Sequence, residues 1–451
     1  LHLSLRRQRQ MCIRDSILSA RKAQKFWEKI PAIERAEHLK KIASKIRDNA
    51  EDIANIVVEE QGKIKSLALG EIGAAAGYFE YMAEWGRRIE GEIITSDVKN
   101  ENIFLYRVPM GVVAGILPWN FPFFLIARKV APALVTGNSV VIKPSEETSN
   151  NAFIFSKIIN DLNIPKGLIN FVYGRGETVG KHLSAHSAID MISFTGSVET
   201  GSLIMQEAGK NITKVNLELG GKAPAIVLAD ADIDKALPFL VNAAIQNAGQ
   251  TCSAATRVLI EKPIFQELTE RLAKGIRSLR SGPALQDLEC GPLISKVQKD
   301  RVEGFLQRAR QDGVEFLAEG SIVEDAPQGG NYVAPCMVGS VPPKHTLAQD
   351  EVFGPLLVTM PFEGEEEGIE LANNTVYGLV SGVWTKDGGR QLRVARKLKS
   401  GQVFINNYGA GGGVELPFGG VKLSGHGREK GFEALYGFSV TKTVAIHHGA
   451  S

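Results

Sequence analysis

The sequence predicts an α/β protein built on a Rossmann-like parallel sheet with helices on both faces, followed by a second α/β segment. Three observations carry this expectation. Between Gly111 and Glu218 short β-rich runs alternate with helical ones, a long helical stretch precedes them, and 451 residues suffice for two or three domains.

From Ile17 to Arg88 the apolar positions follow helical spacing, as in Ile33, Ala36, Leu39, Ile42 and Ile46, with Pro31 suited to a first turn. The stretch Gly91 to Arg107, with Ile93-Ile94 and Ile103 to Tyr106, reads as strands separated by a polar turn. Strands are then expected at 111–116, 139–142, 168–173, 189–194 and 213–218, with helices from Phe123, Ser149 and Val198 and a short one after Tyr173. Such alternation implies parallel strands, whose ligands sit beyond their carboxyl ends. A second α/β segment runs from Gly220 to Lys422, and Ser439 to His448 alternates as a strand does.

With 44% hydrophobic and 23% charged residues the composition is that of ordinary globular protein, and a net charge of +2 provides no field for nucleic acid. Cys12, Cys252, Cys290 and Cys336 are far apart without a Cys-x-x-Cys, which argues against a zinc ribbon, any other metal site of that kind or a disulfide framework, and fits a reducing, cytoplasmic compartment. The longest uncharged run, Gly111 to Ala127, contains Pro118, Asn120 and Pro122, so it reads as buried core beside a site and not as a membrane span.

Two residues carry the chemistry. Cys252, in Gly-Gln-Thr-Cys-Ser (249 to 253), offers a thiol nucleophile, and Glu218, in Leu-Glu-Leu-Gly-Gly-Lys (217 to 222), a general base. Alone, each has a plain structural explanation: a buried small hydrophobe and a strand-end acid. Further runs change the balance: Pro-Trp-Asn (118 to 120), Lys-Pro-Ser-Glu (143 to 146), Phe-Thr-Gly-Ser (194 to 197), Glu-Val-Phe-Gly-Pro (351 to 355) and Pro-Phe-Gly-Gly (417 to 420). In this order and at these separations they resemble the NAD(P)-dependent aldehyde dehydrogenase superfamily, over residues 17 to 448. The resemblance implies a Rossmann-like NAD-binding domain (17–90 and 109–219), an α/β catalytic domain (220–422) and a small β oligomerisation arm (91–108 and 435–451) serving a homodimer or homotetramer. Residues 1–16 are basic and lack an apolar core and cleavage site of a secretory signal; they also depart from the family, whose members begin with further strands. They are expected to be a non-native leader on a shortened chain, with a transit peptide as the other reading.

The usual Gly-x-Gly-x-x-Gly is absent. Instead Phe-Thr-Gly-Ser-Val-Glu-Thr-Gly (194 to 201) closes a strand and opens a helix, which sets backbone N–H groups and Ser197 where a pyrophosphate binds. By resemblance Lys143, Ser145 and Glu146 contact the adenosine ribose, Glu351 holds the nicotinamide ribose with Phe353 packed on it, and Trp119, Gly196 and Gly220 also belong to the cofactor site. The carboxylate of Glu146 would repel a 2′-phosphate, so NAD is expected over NADP.

By the same resemblance Cys252 attacks the aldehyde, Asn120 with the Cys252 N–H stabilises the oxyanion, and Glu218 activates water for thioester hydrolysis. Retention of Glu218 favours hydrolytic release over acyl transfer to coenzyme A. Asn373-Asn374 and Tyr377 to Leu379 are read as structural, and Gly411 to Gly413 and Gly419-Gly420 as turns. Phe121, Phe124 and Arg128 are the expected substrate contacts. Asn120, Phe124 and Arg128, spaced i, i+4, i+8, are expected to share one helix face, where a guanidinium would bind a carboxylate or hydroxyl. The segment Ile116 to Glu146 looks most like the lactaldehyde and semialdehyde branch, which implies a small hydroxyaldehyde or semialdehyde; an ion pair of Arg128 within the fold is the competing explanation. Simple aliphatic or betaine-type aldehydes, a non-catalytic NAD-binding descendant and a thiol esterase are the rival functions, and retention of Cys252, Glu218, Lys143, Glu146 and Glu351 argues against the last two.

Overall fold

The alternating stretch after Gly111 folds into a six-stranded sheet, and the chain beyond Gly220 into a seven-stranded one. The computed structural model describes residues 2–409 and 412–449, with side chains from Met11 onward. In the first sheet Val112–Ile116 lies at the centre, flanked by Ser139–Lys143 and then Ile169–Phe171 on one side, and by Met191–Thr195 and then Lys214–Glu218 on the other. These strands run parallel, and Gly425–His426 closes the edge antiparallel to Lys214–Glu218. Chain order therefore reverses between Val112–Ile116 and Met191–Thr195, and the crevice beyond their carboxyl ends is the position at which such sheets bind ligands.

Both faces of this sheet are covered, which is why Val112–Ile116, Ser139–Lys143 and Met191–Thr195 are buried at every residue and read as continuous apolar runs. Helix Pro122–Val135 packs on one face together with Ala32–Asp48 and Lys65–Glu84, in a core that includes Trp27, Phe79, Phe123 and Phe155. The opening helix runs from His2 to Trp27, earlier than the start expected near Ile17. Ile13, Ile17 and Ala20 continue one apolar face at i, i+4, i+7 and pack with Val112, Val141 and Ile192, and no Pro or Gly interrupts residues 2–27.

The seven-stranded sheet runs Glu315–Glu319, Cys336–Gly339, Leu356–Phe362, Arg257–Glu261, Pro224–Val227, Val380–Trp384, Gln402–Ile405, parallel except for its first strand. Glu92–Ile94, Glu101–Pro109 and Ser439–His447 form a separate three-stranded antiparallel sheet, so the two strand patterns read at opposite ends of the sequence meet. Among the described residues no helix is long and apolar enough to cross a membrane, and no group of three or more His, Cys, Asp and Glu is placed to hold a metal ion.

Candidate active site

Cys252 sits on a loop with an unusual backbone. After helix Ile233–Ile245 the residues Asn247, Ala248 and Gly249 take φ of 56°, 52° and 73° in succession. A left-handed conformation costs a non-glycine residue about 1–2 kcal/mol, so the turn must be held from outside. Asn247 Nδ2 donates to the Asn120 carbonyl at 3.0 Å, Gln250 Nε2 to the Asn247 carbonyl at 3.1 Å, and the Ile294 amide to Gln250 Oε1 at 3.0 Å. Tyr408 donates its hydroxyl to the Ser253 carbonyl at 2.7 Å. Gly221 has no side chain because a Cβ there would collide with the Cys252 carbonyl. Burial pushes the Cys252 thiol up to about 12, opposed by the nearby Arg128 guanidinium, so the resting group is a thiol that needs a base.

Glu218 ends its strand inside the same cleft as Cys252, and both of its carboxylate oxygens are buried without a hydrogen-bond partner among the described residues. Burial, together with Glu429, lifts its carboxyl to about 8 against the pull of Arg128 and Lys129. Gly419, at φ +155°, allows the close approach of its backbone: a Cβ there would lie 2.8 Å from Glu218 Oε1. Asn120 follows the central strand, is 6% exposed, and spends one Nδ2 hydrogen on the Gln250 carbonyl at 3.1 Å. Its other amide hydrogen has no described acceptor, and Asn120 lines the cleft with Cys252 and Glu218.

The cleft has a volume of about 240 Å³ and opens at the reversal point of the first sheet. Trp119, Gly196, Ser197, Gly220, Glu351 and Phe353 line it. Ser197 accepts from the Thr200 amide at 3.2 Å and begins helix Val198–Gly209, so that helix points its N-terminal amides at the cleft. Burial lifts Glu351 to about 7, although the Gly221 amide donates to it at 3.0 Å. Trp119 meets Phe353 edge to face, 5.4 Å between centroids, and Phe353 itself sits at φ 60°. Lys143, Ser145 and Glu146 lie outside this cleft at the end of Ser139–Lys143, where Lys143 Nζ donates to Glu146 Oε2 at 3.1 Å.

One expectation is corrected. Asn120 does not share a helix face with Phe124 and Arg128, because the helix begins at Pro122 and its N-cap, Phe121, has φ −136°. Proline fits the first turn, where its missing N–H is not needed, and so fixes the boundary after Asn120. Phe124 and Arg128 remain one turn apart; Phe124 packs edge to face on Tyr78 at 6.2 Å. The Arg128 guanidinium is 5% exposed, lies 2.8 Å from Glu429 Oε2 and 4.0 Å from Glu218 Oε2, and covers the Phe418 ring at 4.6 Å. It is thus ion-paired within the fold and is not among the residues that line the cleft, and its Nε and Nη2 have no hydrogen-bond acceptor among the described residues.

Sequence reasoning missed the partners of Glu218. Glu429 is fully buried, ion-paired with Lys129 and Arg128, and accepts from Ser193 Oγ at 2.8 Å; Lys129 also donates to Thr195 Oγ1 at 2.6 Å. Burial alone would raise Glu429, but Lys129 and Arg128 outweigh it and hold the carboxyl low. Gln298 and Arg301, which line the cleft beside Glu351, were missed too. Two adjacent charges, Arg128-Lys129, at the end of the long uncharged run were the one available signal, since their partner is 300 residues distant. Asn373 donates to the Lys397 carbonyl at 3.0 Å and accepts from the Lys399 amide at 2.7 Å. Gly412, Gly413, Gly419 and Gly420 lie in loops, and Gly411 falls outside the described residues.

A thiol, a carboxylate without a hydrogen-bond partner among the described residues and an amide donor converge on one cleft, an arrangement suited to an enzyme with a thiol nucleophile. The chain belongs to the aldehyde dehydrogenase family, whose model matches residues 3–444, and is an oxidoreductase acting on aldehydes. It is 44% identical to lactaldehyde dehydrogenase of Escherichia coli K12 over 96% of this chain and 90% of that protein. It is 36% identical to 3,6-anhydro-alpha-L-galactose dehydrogenase of a Vibrio strain, over 93% of this chain and 87% of that protein. Among solved structures, the E. coli lactaldehyde dehydrogenase superposes with a TM-score of 0.94 at 43% identity, over 97% of this chain and 91% of that one. A Staphylococcus aureus betaine aldehyde dehydrogenase in complex with NAD+ superposes at 0.93 and 34% identity, over 97% and 88%.

Proposed function

We propose that this protein catalyses the NAD-dependent oxidation of a small hydroxyaldehyde or semialdehyde to the carboxylic acid, with Cys252 as nucleophile, Glu218 as base and Asn120 as oxyanion donor. The observation that carries the reading is the meeting of these three side chains in one cleft with the Gly196-Ser197 turn. The residues present suit the dinucleotide: Ser197 and the first amides of Val198–Gly209 would take the pyrophosphate, Lys143 and Glu146 the adenosine ribose, and Glu351 the nicotinamide ribose. When bound, NAD supplies the acceptor for the hydride that leaves the former aldehyde carbon.

The thiol proton passes to Glu218, whose free carboxylate oxygens can take it directly or through water, and the thiolate adds to the aldehyde carbon. The resulting oxyanion lies between the unused Asn120 amide hydrogen and the Cys252 N–H, a class of contact worth about 3–4 kcal/mol. Once the carbon is oxidised, Glu218 releases the thiol proton to solvent; water then attacks the thioester and gives a proton to Glu218, the C–S bond breaks, and that proton passes to the Cys252 sulfur as the acid leaves. Arg128 bears on the substrate class only through its place beside the site, 4.0 Å from Glu218 Oε2, where a guanidinium would favour an anionic or hydroxylated substrate. The 44% identity to lactaldehyde dehydrogenase points the same way.

A homodimer or homotetramer assembled through the three-stranded sheet, and a cytoplasmic setting, complete the reading; Ile93, Tyr106, Val440 and Ile446 leave apolar surface open on that sheet. The reading divides the chain into a cofactor domain around the six-stranded sheet, a catalytic domain around the seven-stranded one and an arm made of the three-stranded one. The direct test is NADH formation with NAD and NADP across glycolaldehyde, lactaldehyde, succinic semialdehyde, betaine aldehyde and propanal. Turnover of the polar aldehydes with NAD, abolished in Cys252→Ala, is expected; turnover persisting in Cys252→Ala would remove the mechanism.

A further inference from the structure

The Lys63–Glu71 ion pair is buried on both sides, with neither side chain exposed, and the reaction above gives it no task. Burying two charges costs several kcal/mol that their attraction seldom more than repays, so such a pair needs a reason other than stability. Its contacts supply one. Lys63 stands in the short link between helices Ala50–Gln61 and Lys65–Glu84, directly after Gly62 at φ 77°, and Glu71 lies on the second helix. Lys63 Nζ donates to Glu71 Oε2 at 2.5 Å and to the Asn120 carbonyl at 2.8 Å, and its ammonium stands 3.7 Å from the centroid of the Phe121 ring. Glu71 Oε1 accepts from the Phe123 and Phe124 amides at 2.9 and 3.0 Å.

Those two amides open helix Pro122–Val135, whose N-cap, Phe121, makes no side-chain cap of its own. Glu71 therefore does from outside what a capping Ser or Asp would do from within. The Asn120 carbonyl is held from two directions: by Lys63 from the helical layer, and by Asn247 Nδ2 from the strained turn that carries Cys252. The pair thus fixes the backbone at Asn120 and the helix start immediately after it, while the same carbonyl ties the cysteine loop to that point.

We propose that Lys63 and Glu71 are positioning residues of the oxyanion hole, which set the Asn120 amide relative to Cys252 and act on the rate only through Asn120. The inference rests on Asn120 being the oxyanion donor. The test is a double-mutant cycle in kcat and KM, on the best aldehyde of the panel, with Lys63→Met, Asn120→Ala and the combination. Asn120→Ala is expected to lower kcat by about 10²–10³-fold, the effect of losing one oxyanion donor. Lys63→Met is expected to lower it by roughly 10- to 100-fold with KM for NAD within about twofold, and Lys63→Arg to recover most of the loss. In the Asn120→Ala background Lys63→Met should add less than about threefold, the non-additivity of groups that act as a unit. An equal loss in both backgrounds would overturn the positioning role, whereas wild-type kcat in Asn120→Ala would overturn the oxyanion reading itself. If Lys63→Met does not fold, Glu71→Gln carries the same cycle, because the amide oxygen can still cap Phe123 and Phe124 while the charge that orients Lys63 is gone.

Discussion

Glu218 and Glu429 are both buried and both lie within 4.0 Å of the Arg128 guanidinium, yet their surroundings drive them apart. Glu429 is ion-paired with Lys129 and Arg128, accepts from Ser193 and is held ionised; Glu218 has no hydrogen-bond partner among the described residues and is lifted to about 8. Two carboxyls tuned in opposite directions are the arrangement by which one site keeps a fixed charge and a mobile proton. The lesson is that a buried carboxyl from which partners are withheld keeps its proton, while its neighbour takes the cations that would otherwise lower it.

The largest effect should come from removing the base itself. Glu218→Gln is expected to lower steady-state kcat by about 10²–10⁴-fold while a single-turnover burst of NADH survives, since thioester hydrolysis needs the base more than hydride departure does. In the wild type kcat should rise through about pH 8 to a plateau, and Glu218→Gln should lack that limb. The same raised carboxyl makes a contribution to stability that is intact below the ordinary value of 4.5 and is lost as pH rises through about 8, a slope that Glu218→Gln should remove from denaturant titrations across that window.

Glu429→Gln sharpens the contrast. It leaves Arg128 and Lys129 buried without their anion, so stability should fall by about 3–5 kcal/mol. With the repulsion gone and both cations free to turn to Glu218, the rising limb of kcat should shift to lower pH; an unchanged limb would show that the two carboxyls do not communicate. Arg128→Leu removes the cation nearest both acids. It should move the limb to higher pH and reduce the preference for glycolaldehyde over propanal by about tenfold, the value of a charge-assisted hydrogen bond, measured as a ratio of kcat/KM. Unchanged relative activities would confine Arg128 to its ion pair. Ser193→Ala is the mildest change, expected to cost about 1–3 kcal/mol for one buried acceptor left short of a donor, with kcat at its plateau within a factor of two or so.

Much of this was legible beforehand. Strand and helix alternation from Gly111 to Glu218 placed the parallel sheet within a residue or two, because buried strands are continuous apolar runs and their helices carry period-3.6 faces. Two boundaries were misread for local reasons: Pro122 excludes Asn120 from its helix, and the apolar face through Ile13 carries the first helix back to His2.

The sequence by itself determined the fold class and the family, and it singled out Cys252, Glu218 and Asn120 as candidates, because each stands in a short run that resembles the family's. Tertiary structure alone decided what those residues experience. Lys129 meets Glu429 across 300 positions, Lys63 meets Asn120 across 57, and Asn247 meets Asn120 across 127. Electrostatic environment is a property of distance in space and of excluded water, and neither is written in the neighbours a residue has along the chain.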